Sequence, residues 1–329
     1  MRRSIRCGSV IALAFVIIVS VSCSSPKAER KKPPKAVKTV AFITNNSSDY
    51  WKAVRKGCEK ADSELPDVKL NFQFAFGGQT FEQQTMINKV IEIDGADAVA
   101  VSPIDPVEEK FTINGAAKRA LLITQDSDAP GSDRALYIGA DNVEAGRQAG
   151  KLVKKALPAG GKIMVFVGKR EAQNTKDRLE GLKEALAGSN VEILDLLTDN
   201  NDKVQAKDNA AETITKYPDI AGMVGLWSYN GPAILEAVKS ADKVGKIKIV
   251  CFDDEKNTLE GIKAGSIFGT VAQQPFEYGY QGMRLIARIL RGDRSAIPDD
   301  KKVIIPPIII QRENLEEYNN KQQQLAAGG

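Results

Sequence analysis

The 329-residue sequence contains no histidine. That removes the commonest general base, most zinc sites and any Ser-His-Asp nucleophile together. Cysteine is scarce. Four are present, at positions 7, 23, 58 and 251, with no metal-ligand spacing among them. Cys7 belongs to a leader. Cys58 falls on a helix and Cys251 in an apolar strand, IKIVCFDD, so both read as small buried hydrophobes. No glycine-rich dinucleotide or phosphate-binding pattern follows any apolar run; Pro158–Gly161 precedes a strand and reads as a turn. No cofactor or metal is expected. An excess of positive charge is also lacking where it would matter. Against the formal +4, Arg2, Arg3 and Arg6 together with stretch 24–38 carry a net +8, leaving −4 on the body from Thr39 onward. A mildly acidic body without a basic stripe argues against nucleic acid as a partner.

What is present starts with an export signal. Residues 1–23 show a basic start (MRRSIR), an apolar stretch from Val10 to Val19 and small residues up to Cys23. This segment is too short and wrongly flanked for a membrane span. Residues 24–38, SSPKAERKKPPKAVK, are charged and proline-containing with no apolar period, and read as a tether.

From Val40 the chain alternates apolar runs with amphipathic segments. Strands are expected near 40–43, 68–75, 97–101, 120–124 and 135–139, with helices near 48–64, 79–93 and 106–118. A second series places strands near 162–167, 190–196, 221–225, 247–252 and 267–271. Its helices lie near 142–156, 174–187, 202–216, 230–240 and 255–264. A long helix near 275–291 and a strand at 303–310 follow, and KQQQLAAGG reads as frayed. Strand–helix alternation of this length means βαβ units and parallel sheets. The expected fold class is α/β, with two similar lobes, each a parallel sheet flanked by helices.

Ligands of open α/β sheets bind beyond the carboxyl ends of the strands. The turns there hold Thr44-Asn45-Asn46 with Tyr50-Trp51, then Ser102-Pro103-Ile104-Asp105, Gln125 to Asp128, and Asn174 to Arg178. The set continues with Asn200-Asn201-Asp202, Trp227 to Asn230, Asp253-Asp254 and Gln273-Gln274. Amides and carboxylates pair with vicinal hydroxyls and aromatic rings stack on the apolar face of a sugar, so the set suits a polyhydroxylated ligand. Singly, Ser102, Asn201, Ser228 and Asn230 also read as helix caps, and Asp126 and Asp253 as turn residues.

VAFITNNSSDYWKAVRKG, AVAVSPID, ITQDSD, YIGADNVEAG, KDRLEGL, IVCFDD and GTVAQQP together resemble the periplasmic sugar-binding proteins of ABC importers. The group is the ribose/galactose/xylose type, with the type I periplasmic-binding fold, and the resemblance spans about 40–311. It implies a non-enzymatic capture protein holding a pentose, hexose or related polyol for the importer's membrane subunits, as a monomer. It implies two lobes joined by a three-segment hinge, crossing near Ala140-Asp141, Gln273-Gln274 and Asp299–Lys302. The lobes become 39–140 plus 274–300 and 141–273 plus 301–315, with a tail at 316–329. Ligand-binding residues implied are Thr44, Asn46, Tyr50, Trp51, Ser102 and Asp126 from one lobe. Arg178, Asn201, Tyr229 or Asn230, and Asp253 come from the other, with Gln273 at the hinge. Departures from the ribose-type pattern are Ser127 where an arginine follows the aspartate, Ser102 for an asparagine, Asn201 for a phenylalanine, and WSYNGP for an asparagine-aspartate segment. Small residues before Cys23 resemble a lipoprotein signal, implying a lipid anchor there and a location in the periplasm or cell envelope. Two other roles stay open: a sensor handing its ligand state (sugar or autoinducer) to a membrane receptor, and an exported glycosidase using Asp126 and Asp253.

Overall fold

The computed structural model describes residues 37–327; the export signal, Cys23 and nearly all of the tether lie outside the described residues. Lys38, assigned to the tether from sequence, is the first residue of β1 (Lys38–Ile43). The first series continues with α1 (Asp49–Glu64), β2 (Val68–Gln73), α2 (Thr80–Glu92), β3 (Ala98–Val101), α3 (Lys110–Ala117), β4 (Leu121–Gln125) and β5 (Tyr137–Gly139). The second has α4 (Asn142–Ala156), β6 (Gly161–Val167), α5 (Gln173–Leu186), β7 (Val191–Thr198), α6 (Lys203–Lys216) and β8 (Ile220–Gly225). It closes with α7 (Asn230–Ser240), β9 (Lys248–Phe252), α8 (Lys256–Ala264) and β10 (Gly269–Ala272). Then come α9 (Pro275–Leu290), β11 (Lys302–Ile304), β12 (Ile308–Ile310) and α10 (Leu315–Ala327).

Two six-stranded sheets result, ordered β11-β5-β4-β3-β1-β2 and β12-β10-β9-β8-β6-β7. All pairings are parallel except β10 with β12. Helices cover both faces, which explains the unbroken apolar runs. In the first sheet Val40, Phe42, Ala98 and Ala100 face a core shared with Val54 and Cys58 of α1 and Met283 and Ile286 of α9. Alternate residues Ala41, Ile43, Val99 and Val101 face Ile87 and Val90 of α2 and Ile113 of α3. The second sheet divides in the same way between two cores. Cys58 and Cys251 are free and fully buried, one in each lobe.

The chain passes from the first sheet to the second after β5 and back toward the first after β10. The third crossing lies later than expected. Lys302–Ile304 pairs with Tyr137–Gly139 in the first sheet, so the chain changes lobes across Ile305-Pro306-Pro307. The single strand expected over 303–310 is thus two short strands in different sheets. The prolines lack the N–H groups that a continuous ladder requires. The tail at 316–329 also differs from expectation. It is helical through Ala327, docked by Leu315 and Tyr318 in the second lobe's core. The Tyr318 hydroxyl donates to Asp254 Oδ2 at 2.6 Å.

Candidate functional site

Parallel strands of one sheet end at one edge, so the polar turns after β1, β4, β9 and β10 gather between the lobes. They line a cleft enclosing about 280 Å³, its open mouth included. The turn after β1 is self-supporting. Thr44 Oγ1 donates to the Asn46 carbonyl (2.7 Å) and accepts from the Ala75 amide (3.0 Å). Asn46 Oδ1 accepts from the Ser48 amide (2.9 Å), which opens α1 and presents Tyr50 and Trp51. Their rings meet edge to face, with centroids 5.1 Å apart. Asn45 ties the wall together. Its Oδ1 accepts from Trp51 Nε1 (3.0 Å), and its Nδ2 donates to Ser102 Oγ (3.2 Å). Ser102 Oγ in turn donates to Asp126 Oδ2 (2.9 Å).

Asp126 follows β4 with φ 59, and Asp253 follows β9 with φ 65. Asparagine and aspartate tolerate this left-handed region better than other non-glycine residues. Asp253 accepts from the Gln273 amide (3.1 Å) and from Gln273 Nε2 (3.1 Å). Asn174, at the start of α5, donates from Nδ2 to Asp126 Oδ2 at 3.4 Å, bonding one lobe to the other. Arg178, one turn further on and 1% exposed, donates from Nε to Asn142 Oδ1 (2.9 Å) and from Nη1 to the Leu226 carbonyl (2.6 Å). Its guanidinium lies 4.5 Å above the Phe252 ring. Gly181 explains the arginine–glycine spacing: a side chain there would overlap the Val143 carbonyl of α4, so glycine lets α5 press on α4 and sets Arg178 at the cleft floor.

Burial pushes the Asp253 carboxyl up to about 7 against the pull of Arg178. Asp126 is raised by the same cause, with Arg178 and the Ser102 bond opposing. Burial also lifts Asp199 to about 6, although Tyr229, the Asn201 amide and Asn230 all donate to it. Several buried polar atoms at the cleft have no partner: Arg178 Nη2, Asn174 Oδ1, Gln273 Oε1 and the Tyr50 hydroxyl.

Of the residues expected from sequence, Asn46, Tyr50, Trp51, Asp126, Arg178, Tyr229, Asp253 and Gln273 line the cleft. Thr44 and Ser102 lie behind its wall and orient the residues in front. Tyr229, not Asn230, faces the cleft. Asn230 points back to accept from the Trp227 amide (3.0 Å) and to donate to Asp199 Oδ2 (2.9 Å). Asn201 reaches from the second lobe to the Gly78 carbonyl of the first (3.4 Å). Asn45, Ser48, Asn174, Trp227 and Ser228 also line the cleft; all stand in the strand-end turns or at the start of the first helix, but were not singled out as ligand-binding. Asp199 was missed because β7 runs to Thr198, two residues past the expected strand end. Among the described residues no cluster of acids and cysteines could hold a metal ion, and no helix is long and apolar enough to cross a membrane.

Comparison with known proteins adds four findings. Residues 40–294 match the model of the periplasmic binding protein domain. The ribose import binding protein RbsB of Haemophilus influenzae is 24% identical over 297 residues, covering 89% of this chain and 97% of the relative. Among solved structures, an ABC transporter solute-binding protein of Agrobacterium vitis bound with α-D-tagatopyranose superposes with a TM-score of 0.79 at 25% identity, covering 84% of this chain and 96% of that one. A XylFII–LytSN complex does so with a TM-score of 0.77 at 25% identity, covering 84% and 98%.

Proposed function

This chain belongs to the periplasmic binding protein domain family, and we propose that it captures a monosaccharide or related polyol between its lobes and delivers it to the membrane subunits of an ABC importer. One observation carries the reading: buried, unpartnered polar atoms of Arg178, Asn174, Gln273 and Tyr50 converge on a cleft walled by Trp51 and Trp227. Leaving such groups unsatisfied costs about 1–3 kcal/mol each, which a hydroxyl-rich ligand recovers. The aromatic rings cover its apolar face. Because contacts come from both lobes, ligand favours the closed arrangement, and the importer reads closure. Asn46, Tyr50, Trp51, Asp126, Arg178, Tyr229, Asp253 and Gln273 make the contacts. Thr44, Ser102, Asn201 and Asn230 hold them in place. The protein acts as a monomer in the periplasm, tethered through residues 24–37 to a lipid on Cys23.

The chain's only two tryptophans, Trp51 and Trp227, line the cleft, so tryptophan emission and thermal shift against a panel of pentoses, hexoses and polyols test the reading directly. One sugar should change emission and raise Tm; at about 100 times its Kd the gain is roughly 2.7 kcal/mol. Arg178→Ala should weaken that response at least about 100-fold, since a charge-assisted bond is lost and the opposing acids lose their only close cation. Silence across the panel sinks the sugar reading, and turnover of any glycoside sinks the binding-only reading. A second reading, a sensor that hands its ligand state to a membrane receptor, is favoured by the similarity to XylFII in its complex with LytSN. Pull-down of the liganded protein separates the two: recovery of importer subunits supports delivery, recovery of a receptor supports sensing.

A further inference from the structure

We propose that the ligand this cleft selects carries a protonated amine, an amino sugar or iminosugar in preference to its neutral counterpart. The inference rests on the binding reading above and on a charge imbalance in the cleft. Asp126 and Asp253 are 4% and 3% exposed, and every hydrogen bond made to their carboxylates comes from a neutral donor. The one buried cation beside them, Arg178, bonds to Asn142 and to the Leu226 carbonyl and makes no hydrogen bond to either acid. Asp199 adds a third buried carboxylate behind Tyr229. Ser127, next to Asp126, brings no second cation, and Lys203 lines a separate cavity with the acids Asp49 and Glu255 and not the cleft itself. Acids thus outnumber bases three to one where water is excluded; without a ligand they relieve the imbalance by holding protons, and a bound cation lets them ionise.

The unpartnered atoms point the same way. Asn174 and Gln273 turn their NH₂ groups toward Asp126 and Asp253, so their free atoms are both carbonyl oxygens, Asn174 Oδ1 and Gln273 Oε1. Against these acceptors, the free side-chain donor without acceptor capacity among the cleft-lining residues is Arg178 Nη2. An ammonium supplies the missing positive charge and up to three N–H donors; the remaining hydroxyls of the same ligand serve Arg178 and the aromatic wall. Burial raises the Asp126 and Asp253 carboxyls, as expected of acids awaiting a cation.

Calorimetry of the full chain at pH 6.5 tests this with D-glucosamine, D-galactosamine, D-mannosamine and 1-deoxynojirimycin. Each is run beside its neutral counterpart, D-glucose, D-galactose, D-mannose and 1-deoxy-D-glucose. At least one amine should bind tenfold or more tightly than its counterpart. Asp253→Asn, an isosteric change, should reduce that ratio to threefold or less. Neutral sugars binding as well as or better than their amines throughout would overturn the proposal and leave the sugar-binding reading intact. Absence of binding by both series would overturn the proposal, and the binding reading would then stand or fall on the pentose, hexose and polyol panel above. A tenfold preference that survives both Asp253→Asn and Asp126→Asn would also overturn it, because the amine would then be held elsewhere.

Discussion

Set lobe against lobe, the strand order repeats: β2-β1-β3-β4-β5 in the first, β7-β6-β8-β9-β10 in the second. In each the fourth strand ends in an aspartate with positive φ, Asp126 or Asp253. The two cleft walls nevertheless differ. In the first lobe, Trp51, Asn45, Ser102 and Asp126 form one hydrogen-bonded chain with the Tyr50 hydroxyl left over. In the second, Arg178, Asn174 and, at the hinge, Gln273 each retain an unpartnered atom. A repeated scaffold thus presents one wall that is already connected and another with spare bonding capacity. The lesson is that duplicated topology fixes where the cleft lies, while local partners decide which wall is already bonded and which keeps unpartnered polar atoms.

The largest expected effect breaks the first lobe alone. Asp128 and Arg134 form a buried fork, with Arg134 Nη2 donating to Asp128 Oδ2 at 2.6 Å and Arg134 Nε to Asp128 Oδ1. Arg134→Ala leaves Asp128 uncompensated and should cost about 3–5 kcal/mol in urea denaturation. A loss below 1 kcal/mol would show that this pair does not hold the lobe.

Next in size is a matched test of the helix pairs that back each sheet. In the first lobe a side chain at Gly57 of α1 would overlap the Phe276 carbonyl of α9; in the second, one at Gly181 of α5 would overlap the Val143 carbonyl of α4. Gly57→Ala and Gly181→Ala should each destabilise by about 1–3 kcal/mol through overpacking. Gly181→Ala should weaken ligand binding more than Gly57→Ala, because Arg178 lies within one turn of Gly181 on α5 whereas Tyr50 and Trp51 lie about two turns from Gly57 on α1. Equal effects on binding would erase the distinction between the walls.

A smaller effect follows from protonation. Glu109 in the first lobe is raised to about 8 by burial, and Asp253 in the second to about 7. Each keeps its proton in the folded state at pH values where the unfolded chain's carboxyl has ionised, so the folded state binds more protons. Stability from these groups is complete below about pH 4 and is lost as pH rises through 7 and 8. Tm of the unliganded protein should therefore fall from pH 5 to pH 8, by on the order of 1 kcal/mol or more in stability. Asp253→Asn should flatten the lower part of that slope and Glu109→Gln the upper part. A Tm that climbs over this range would contradict both assignments.

Much of this was legible in the chain itself. Val40–Ile43, buried on both sheet faces, reads as an unbroken apolar run, and the polar turns after such runs name the cleft because parallel strands end together. The spacing of Arg178 and Gly181 lies within one helix and is likewise visible in sequence. Other features arise only when distant segments meet. Asn230 turns away from the cleft because Asp199, on another strand end, lies within hydrogen-bonding reach; Thr44 and Ser102 turn inward for the same kind of reason. Lys302–Ile304 joins the first sheet because β5 offers an open edge, and α10 docks because Tyr318 finds Asp254. Sequence determined the elements and the edge at which their polar turns collect, since periodicity and turn chemistry are local. The direction each polar side chain faces, and the charge balance around it, was decided by tertiary structure, because both depend on partners supplied by remote parts of the chain.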